Sequence, residues 1–183
     1  RETDDRAVEV EGIRKNSSEA LEKPARWKVT QEAAVSIPEN TPAGDSLALI
    51  AIHRELGCYM PWETDEKMEN WTNVEVYKKG PNKGRVRFAE FFMFRTEEGI
   101  PFHVQYLTAA EELVFFSNTN TFLIDDLSCG EYITKLTNLK KLTIGAYGLS
   151  TLPDSFANLK NLRYLDLSSN NFQVVPPVIN AEN

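Results

Sequence analysis

Two histidines, His53 and His103, are this chain's whole supply of the side chain best suited to moving protons near neutral pH. His53 lies in a stretch of helical spacing, where a surface or half-buried role is the ordinary expectation. His103 has no second ligand at metal-binding spacing. The two cysteines, Cys58 and Cys129, form no C-x-x-C pair, so zinc and thioredoxin-like chemistry have no support. Free thiols and a single disulfide both stay open. Asp125–Asp126 lacks a third ligand and reads as a solvated loop. Gly80 and Gly84 bracket a turn, but no phosphate-binding helix follows it. No G-x-S-x-G, H-E-x-x-H, P-loop or dinucleotide fingerprint occurs. A hydrolase in the first half would need a pocket joining a histidine to a carboxylate and a nucleophile. The residues therefore predict no catalysis, no metal and no cofactor.

What remains to be explained is the scaffold. The 183 residues suffice for a small domain plus a short array, and 42% hydrophobic with 26% charged is ordinary globular composition. A net charge of −7 gives no electrostatic footprint for nucleic acid, nor attraction to an anionic membrane. The longest apolar run, Leu47 to Ile52, falls far short of the roughly 20 residues a membrane helix needs. The chain opens on Arg1, as expected of a processed or excised form.

The strongest signal is a period. Leu136–Asn158 and Leu159–Ala181 align at a spacing of 23 residues with their apolar positions in register. Leu136, Leu139, Leu142 and Ile144 match Leu159, Leu162, Leu165 and Leu167. Leu149 matches Phe172, Leu152–Pro153 matches Val175–Pro176, and Phe156 matches Ile179. L-x-L predicts a short strand with one buried face. Asn170 stands where its amide can satisfy the backbone as the chain leaves the strand, while Tyr147 stands there in the first copy. Each unit buries its apolar side only by stacking on neighbours. The register extends backward through Leu107, Leu113, Phe115, Asn118 and Leu123, with an insertion around Ile124–Gly130. One step earlier, Phe92 and Ile100–Pro101 take the leucine and L-P slots. Glu90 then falls on a core position, so this unit is degenerate or slips by one residue.

These units resemble leucine-rich repeats, L-x-x-L-x-L-x-x-N-x-L with a following L-P step. The segment before them resembles the N-terminal cap of secreted members of that family. Asp45, Ala48 and Leu49 match its D-x-x-A-L helix, Asn70, Trp71 and Val74 its N-W-x-x-V step, and Gly84–Arg85–Val86 its G-R-V strand start. The helix is expected over Asp45–Gly57, started by Asp45 or Ser46, with Trp62 and Trp71 as core. The paired cysteines of the plant cap are absent, which points the resemblance toward a bacterial surface or exported protein, a cytoplasmic scaffold being the alternative. Asn16 and Asn70 lie in N-x-S/T sequons.

The expected architecture is an α/β leucine-rich repeat solenoid of about three to four repeats with a helical N-terminal cap. Residues 1–44 are a leader and linker holding a weak alternating stretch, Trp27–Ile37. Residues 45–85 are the cap and 86–183 the repeats, divided as an irregular 86–106 and then 107–135, 136–158 and 159–181. The family implies non-catalytic protein binding by the exposed strand residues Val114, Phe116, Lys141, Thr143, Gly145, Tyr164, Asp166 and Ser168. Strands about 4.8 Å apart give that face roughly 10–15 Å on a side. A stable interface covers about 800 Å² per partner, so loops, cap or further repeats must contribute. The pattern breaks off within a repeat at Val178–Asn183, which offers an open edge for a homodimer.

Overall fold

The computed structural model describes residues 37–57, 62, 65–94, 99–117 and 130–179. Residues 1–36, Cys58, Cys129, Leu123, Asn118, Asp125–Asp126 and the proposed insertion lie outside the described residues, and so do the readings that rest on them.

The first helix, α1, spans Pro42–Leu56. Its N-cap is Thr41, not Asp45 or Ser46: the Thr41 hydroxyl accepts from the Gly44 amide at 3.0 Å, and Pro42 supplies a preset φ at the first helical position. The PENTPAG stretch thus starts the helix instead of linking to it. Gly57 ends it in a left-handed conformation, φ 63°, with its amide returning to the Arg54 carbonyl. Ala48, Leu49, Ile52 and Leu56 are buried on one face of α1, and Asp45 is buried among them.

Five strands form one sheet in the order β1-β2-β3-β4-β5. They are β1 (Val74–Val76), β2 (Val86–Phe94), β3 (Glu112–Ser117), β4 (Lys141–Gly145) and β5 (Tyr164–Asp166). β1 and β2 are antiparallel, joined by a turn in which Gly84 donates to the Tyr77 carbonyl at 2.8 Å. β2 to β5 run parallel, one strand per unit. A second short helix, α2, spans Gly130–Ile133, and 3-10 turns occupy Phe102–Tyr106 and Asp154–Asn158, each preceded by proline. This mixed sheet with short helical connections is an α/β repeat architecture.

The repetition extends to hydrogen bonds. Leu107 donates to Val104, Leu136 to Ile133 and Leu159 to Phe156; Ala110, Leu139 and Leu162 then donate back to Leu107, Leu136 and Leu159. Ala146 and Ser169, 23 residues apart, both take positive φ, 57° and 59°. Asn170 does what its position predicts. Its carbonyl accepts from Tyr147 and Leu149 at 3.0 and 3.1 Å, and its amide donates to Ile144 and Leu167 at 2.7 and 2.8 Å. Tyr147, at the matching slot of the preceding unit, instead buries its ring completely.

The core runs in two rows along the sheet. Val74, Ala89, Leu113, Leu142 and Leu165 form one, and Phe91, Phe115 and Ile144 the other. This corrects the alignment of the first unit. Phe91 is buried and Phe92 exposed, so the leucine slot belongs to Phe91, and Glu90 faces out of the sheet. The sequence slips by one residue because β2 is irregular at Met93: Phe92 pairs with Phe116 and Phe94 with Ser117, so Met93 is an extra residue relative to β3. A separate bulge leaves Arg87 as an extra residue between the partners of Val76 and Glu75 on β1.

Candidate functional site

The side of β2–β5 turned away from the core carries three cross-strand rows. The first is Phe88, Glu112, Lys141 and Tyr164; the second is Glu90, Val114, Thr143 and Asp166; the third is Phe92, Phe116 and Gly145. Strand alternation puts these residues on one face, opposite the leucine rows. The expected set Val114, Phe116, Lys141, Thr143, Tyr164 and Asp166 is therefore brought together, with Gly145 beside it. Ser168 is exposed just beyond β5, where its amide is held by Asp166 at 2.8 Å.

Four members were not foreseen: Phe88, Glu90, Phe92 and Glu112. The signal was present, since Phe88-Ala89-Glu90-Phe91-Phe92 alternates correctly once read one residue later. Phe92, Phe116 and Tyr164 are 45%, 36% and 54% exposed, a high figure for three aromatic side chains on one sheet face. Phe116 leans over the neighbouring strand. A Cβ on Gly145 would come within 2.4 Å of its ring, so the missing side chain is what seats the phenyl.

The charges of the face are unevenly matched. Lys141 lies 3.5 Å from Glu112, and Arg87 pairs with Glu75. Among the described residues, Glu90 has no ion-pair partner of this kind. Burial raises its carboxyl above the usual range, and the Glu112 charge pushes in the same direction.

Behind the face, the first end of the sheet is closed by a buried ion pair. Arg85 donates from Nε and Nη2 to both oxygens of Asp45 at 2.8 and 2.9 Å, and the Val86 amide donates to the same carboxylate at 2.7 Å. Arg85 also reaches the Thr108 hydroxyl at 3.0 Å. Burial pushes the Asp45 carboxyl up, while Arg85 and the Val86 amide pull it down. Helix start and strand start, 40 residues apart, are thereby joined. Trp62 and Trp71 stack at 4.6 Å and 8° and are buried, and Trp62 donates to the Thr72 carbonyl at 2.9 Å.

His53 does not sit as the sequence leads one to expect. His53 is buried, with its ring edge on Trp62 at 4.2 Å and Phe91 at 5.1 Å; burial pushes its pKa down to about 4. His103 is also buried, and it pairs through Nδ1 with Glu55. Phe102 and Tyr106 lie against its ring. These surroundings orient a core imidazole; a reacting group would need a nucleophile beside it. A shallow hollow of about 460 Å³ lies elsewhere, along β1 between Glu69 and Arg87. No group of three metal-ligating side chains occurs among the described residues, and no helix among them is long and apolar enough to cross a membrane.

A second asparagine ladder was also missed. Asn138 donates to the Thr108 carbonyl at 2.9 Å and Asn161 to Thr137 at 2.7 Å, each tying its unit to the one before. The shared L-x-N-L of the two copies was the available clue.

Comparison with known proteins agrees with this geometry. Residues 129–178 match the family model of the leucine rich repeat. Among solved structures, the chain is similar to a plant ice-binding protein at 26% identity and a TM-score of 0.57; the match covers 73% of this chain and 43% of that one. It is similar to the leucine-rich repeat ectodomain of the receptor kinase SOBIR1 from Arabidopsis thaliana at 22% identity and a TM-score of 0.50, covering 70% and 67%. The chain thus spans less than half the length of the ice-binding protein. No curated protein matches it. The in-register units, the Asn170 side chain that bonds two of them and the matched family model together identify residues 129–178 as a leucine-rich repeat segment.

Proposed function

We propose that the chain is a non-catalytic protein-binding module and that the outward face of β2–β5 is its docking surface. Leucine-rich repeat domains generally mediate protein–protein interaction. The observation that carries the reading is the alignment of three exposed aromatic residues, Phe92, Phe116 and Tyr164, on one sheet face. Aromatic anchors contribute most to binding where a partner can cover them. Val114, Lys141, Thr143, Asp166 and Ser168 supply the polar and aliphatic surroundings. α1, with the Asp45–Arg85 pair and the tryptophan stack, serves in this reading as the cap of a short solenoid. The resemblance of that segment to caps of secreted proteins, and the exposed Asn70 of its sequon, favour an exported protein. Ice binding, named for one structural neighbour, is not adopted, because Glu112, Lys141 and Asp166 break this face with irregular charge.

A second reading is self-association at the β5 edge. It is favoured by Val174 and Val175, each 72% exposed, and by the half-buried Leu165 and Leu167. Light scattering on size-exclusion fractions over a concentration series separates the two, using the chain and a Phe116→Ala/Tyr164→Ala variant. A monomer throughout leaves the face free for another protein. A dimer lost in the variant makes the face a self-association surface, which overturns the primary reading. A dimer that survives the variant supports the edge.

A further inference from the structure

We propose that the partner presents a basic segment to this face: a Lys or Arg whose cation sits against Glu90 and Glu112 while its stem lies on Phe92 and Phe116. The inference rests on the docking reading above and adds the chemistry of the occupant. Glu90 stands between Phe88 and Phe92 on β2, two residues from each, so all three side chains leave the same face. Across the sheet its neighbour is Val114, and Glu112 lies diagonally beside it. Neither Val114 nor a phenyl ring can neutralise a carboxylate. Among the described residues the two nearby cations are engaged, Lys141 by Glu112 and Arg87 by Glu75. Glu75, Glu90, Glu112 and Asp166 thus face Arg87 and Lys141, four carboxylates to two cations among those residues.

A carboxylate ringed by aromatics fits one class of ligand better than others. A cation is drawn to the electron-rich ring faces within about 6 Å, and its alkyl stem covers apolar surface. An acidic partner would meet like charge here and at the chain's net −7. The burial that lifts the Glu90 carboxyl in the free protein is offset when a cation replaces the lost water.

The test uses the whole chain and synthetic peptides matched in apolar content, carrying one tryptophan and a net charge of about +4, zero or about −4. Binding is read by fluorescence anisotropy. The basic peptide is expected to bind about tenfold more tightly than the neutral one, and to weaken as salt rises from about 50 to about 300 mM. Glu90→Gln/Glu112→Gln should remove most of that preference. Glu131→Gln/Asp154→Asn, which alters charge equally at exposed sites off the strands, should leave it. Equal loss in both variants would mean general attraction to an acidic chain and would overturn the proposal. Neutral or acidic peptides binding as well as the basic one, and released by Phe116→Ala/Tyr164→Ala, would overturn it while keeping the docking face. If no peptide binds, this proposal falls, and the light-scattering experiment decides the face by itself.

Discussion

The two ends of the sheet are built on the same leucine pattern and reach different depths. At the β1–β2 end, α1, two stacked tryptophans and the Asp45–Arg85 pair cover the rows, and Ala89 and Leu113 are fully buried. At the far end, Leu165 holds the slot of Leu113 and Leu142 yet stays only half-buried, and so does Leu167. A repeat motif therefore specifies which side chain points inward, while neighbours decide how much that is worth. Identical residue types at identical positions should differ in energetic weight along the array.

The largest effect should come from the closed end. Asp45→Ala strands the Arg85 guanidinium in the core, and the expected loss of unfolding free energy is about 3–5 kcal/mol by denaturant titration. A loss below about 1 kcal/mol would show that this end is no more firmly held than the other. Next comes the internal comparison: Leu142→Ala should cost about 2–5 kcal/mol and Leu165→Ala about half as much or less, because only the first leaves a closed cavity. Equal costs would break the proposed gradient.

His53 sharpens it through pH. Its folded pKa lies below its unfolded one, so its contribution is intact above about 6.5 and is lost as pH falls toward about 4. The shift corresponds to about 3 kcal/mol. Unfolding curves at pH 7 and pH 4 should therefore converge in a His53→Phe variant more than in the parent chain. The smallest effect belongs to the outer face. Burial raises the Glu90 carboxyl, so its ionisation at neutral pH works against folding. Glu90→Gln should slightly raise the thermal midpoint at pH 7 and not at pH 3, measured by calorimetry. A fall at pH 7 would mean the carboxylate has a stabilising partner.

Much of this organisation is legible in the sequence where spacing alone determines it. The 23-residue period places Leu136 through Leu167, and the Asn170 position foretells its backbone bonds. What the period cannot carry is an interruption. The irregularity at Met93 puts the preceding residues of β2 on the opposite face from the one a strict 23-residue count assigns, because a strand's period is two. That one extra residue hid Phe88, Glu90 and Phe92 from the outer face. Partnerships between distant residues were equally hidden: Asp45 looks like a helix cap and is an ion-pair partner, and His103 looks solitary and meets Glu55 across 48 residues.

The Asn170 side chain gives the looser end a mechanical property that burial alone would deny it. One carboxamide grips Tyr147, Leu149 and Ile144 of the preceding unit and Leu167 of its own. It acts as a rivet between two plates. A pull on the chain near residue 179 would load these bonds together, so peeling would halt at Asn170 and then release a whole unit in one step. Optical-tweezer traces of the parent chain should show that discrete step, and those of Asn170→Ala a gradual slope in its place.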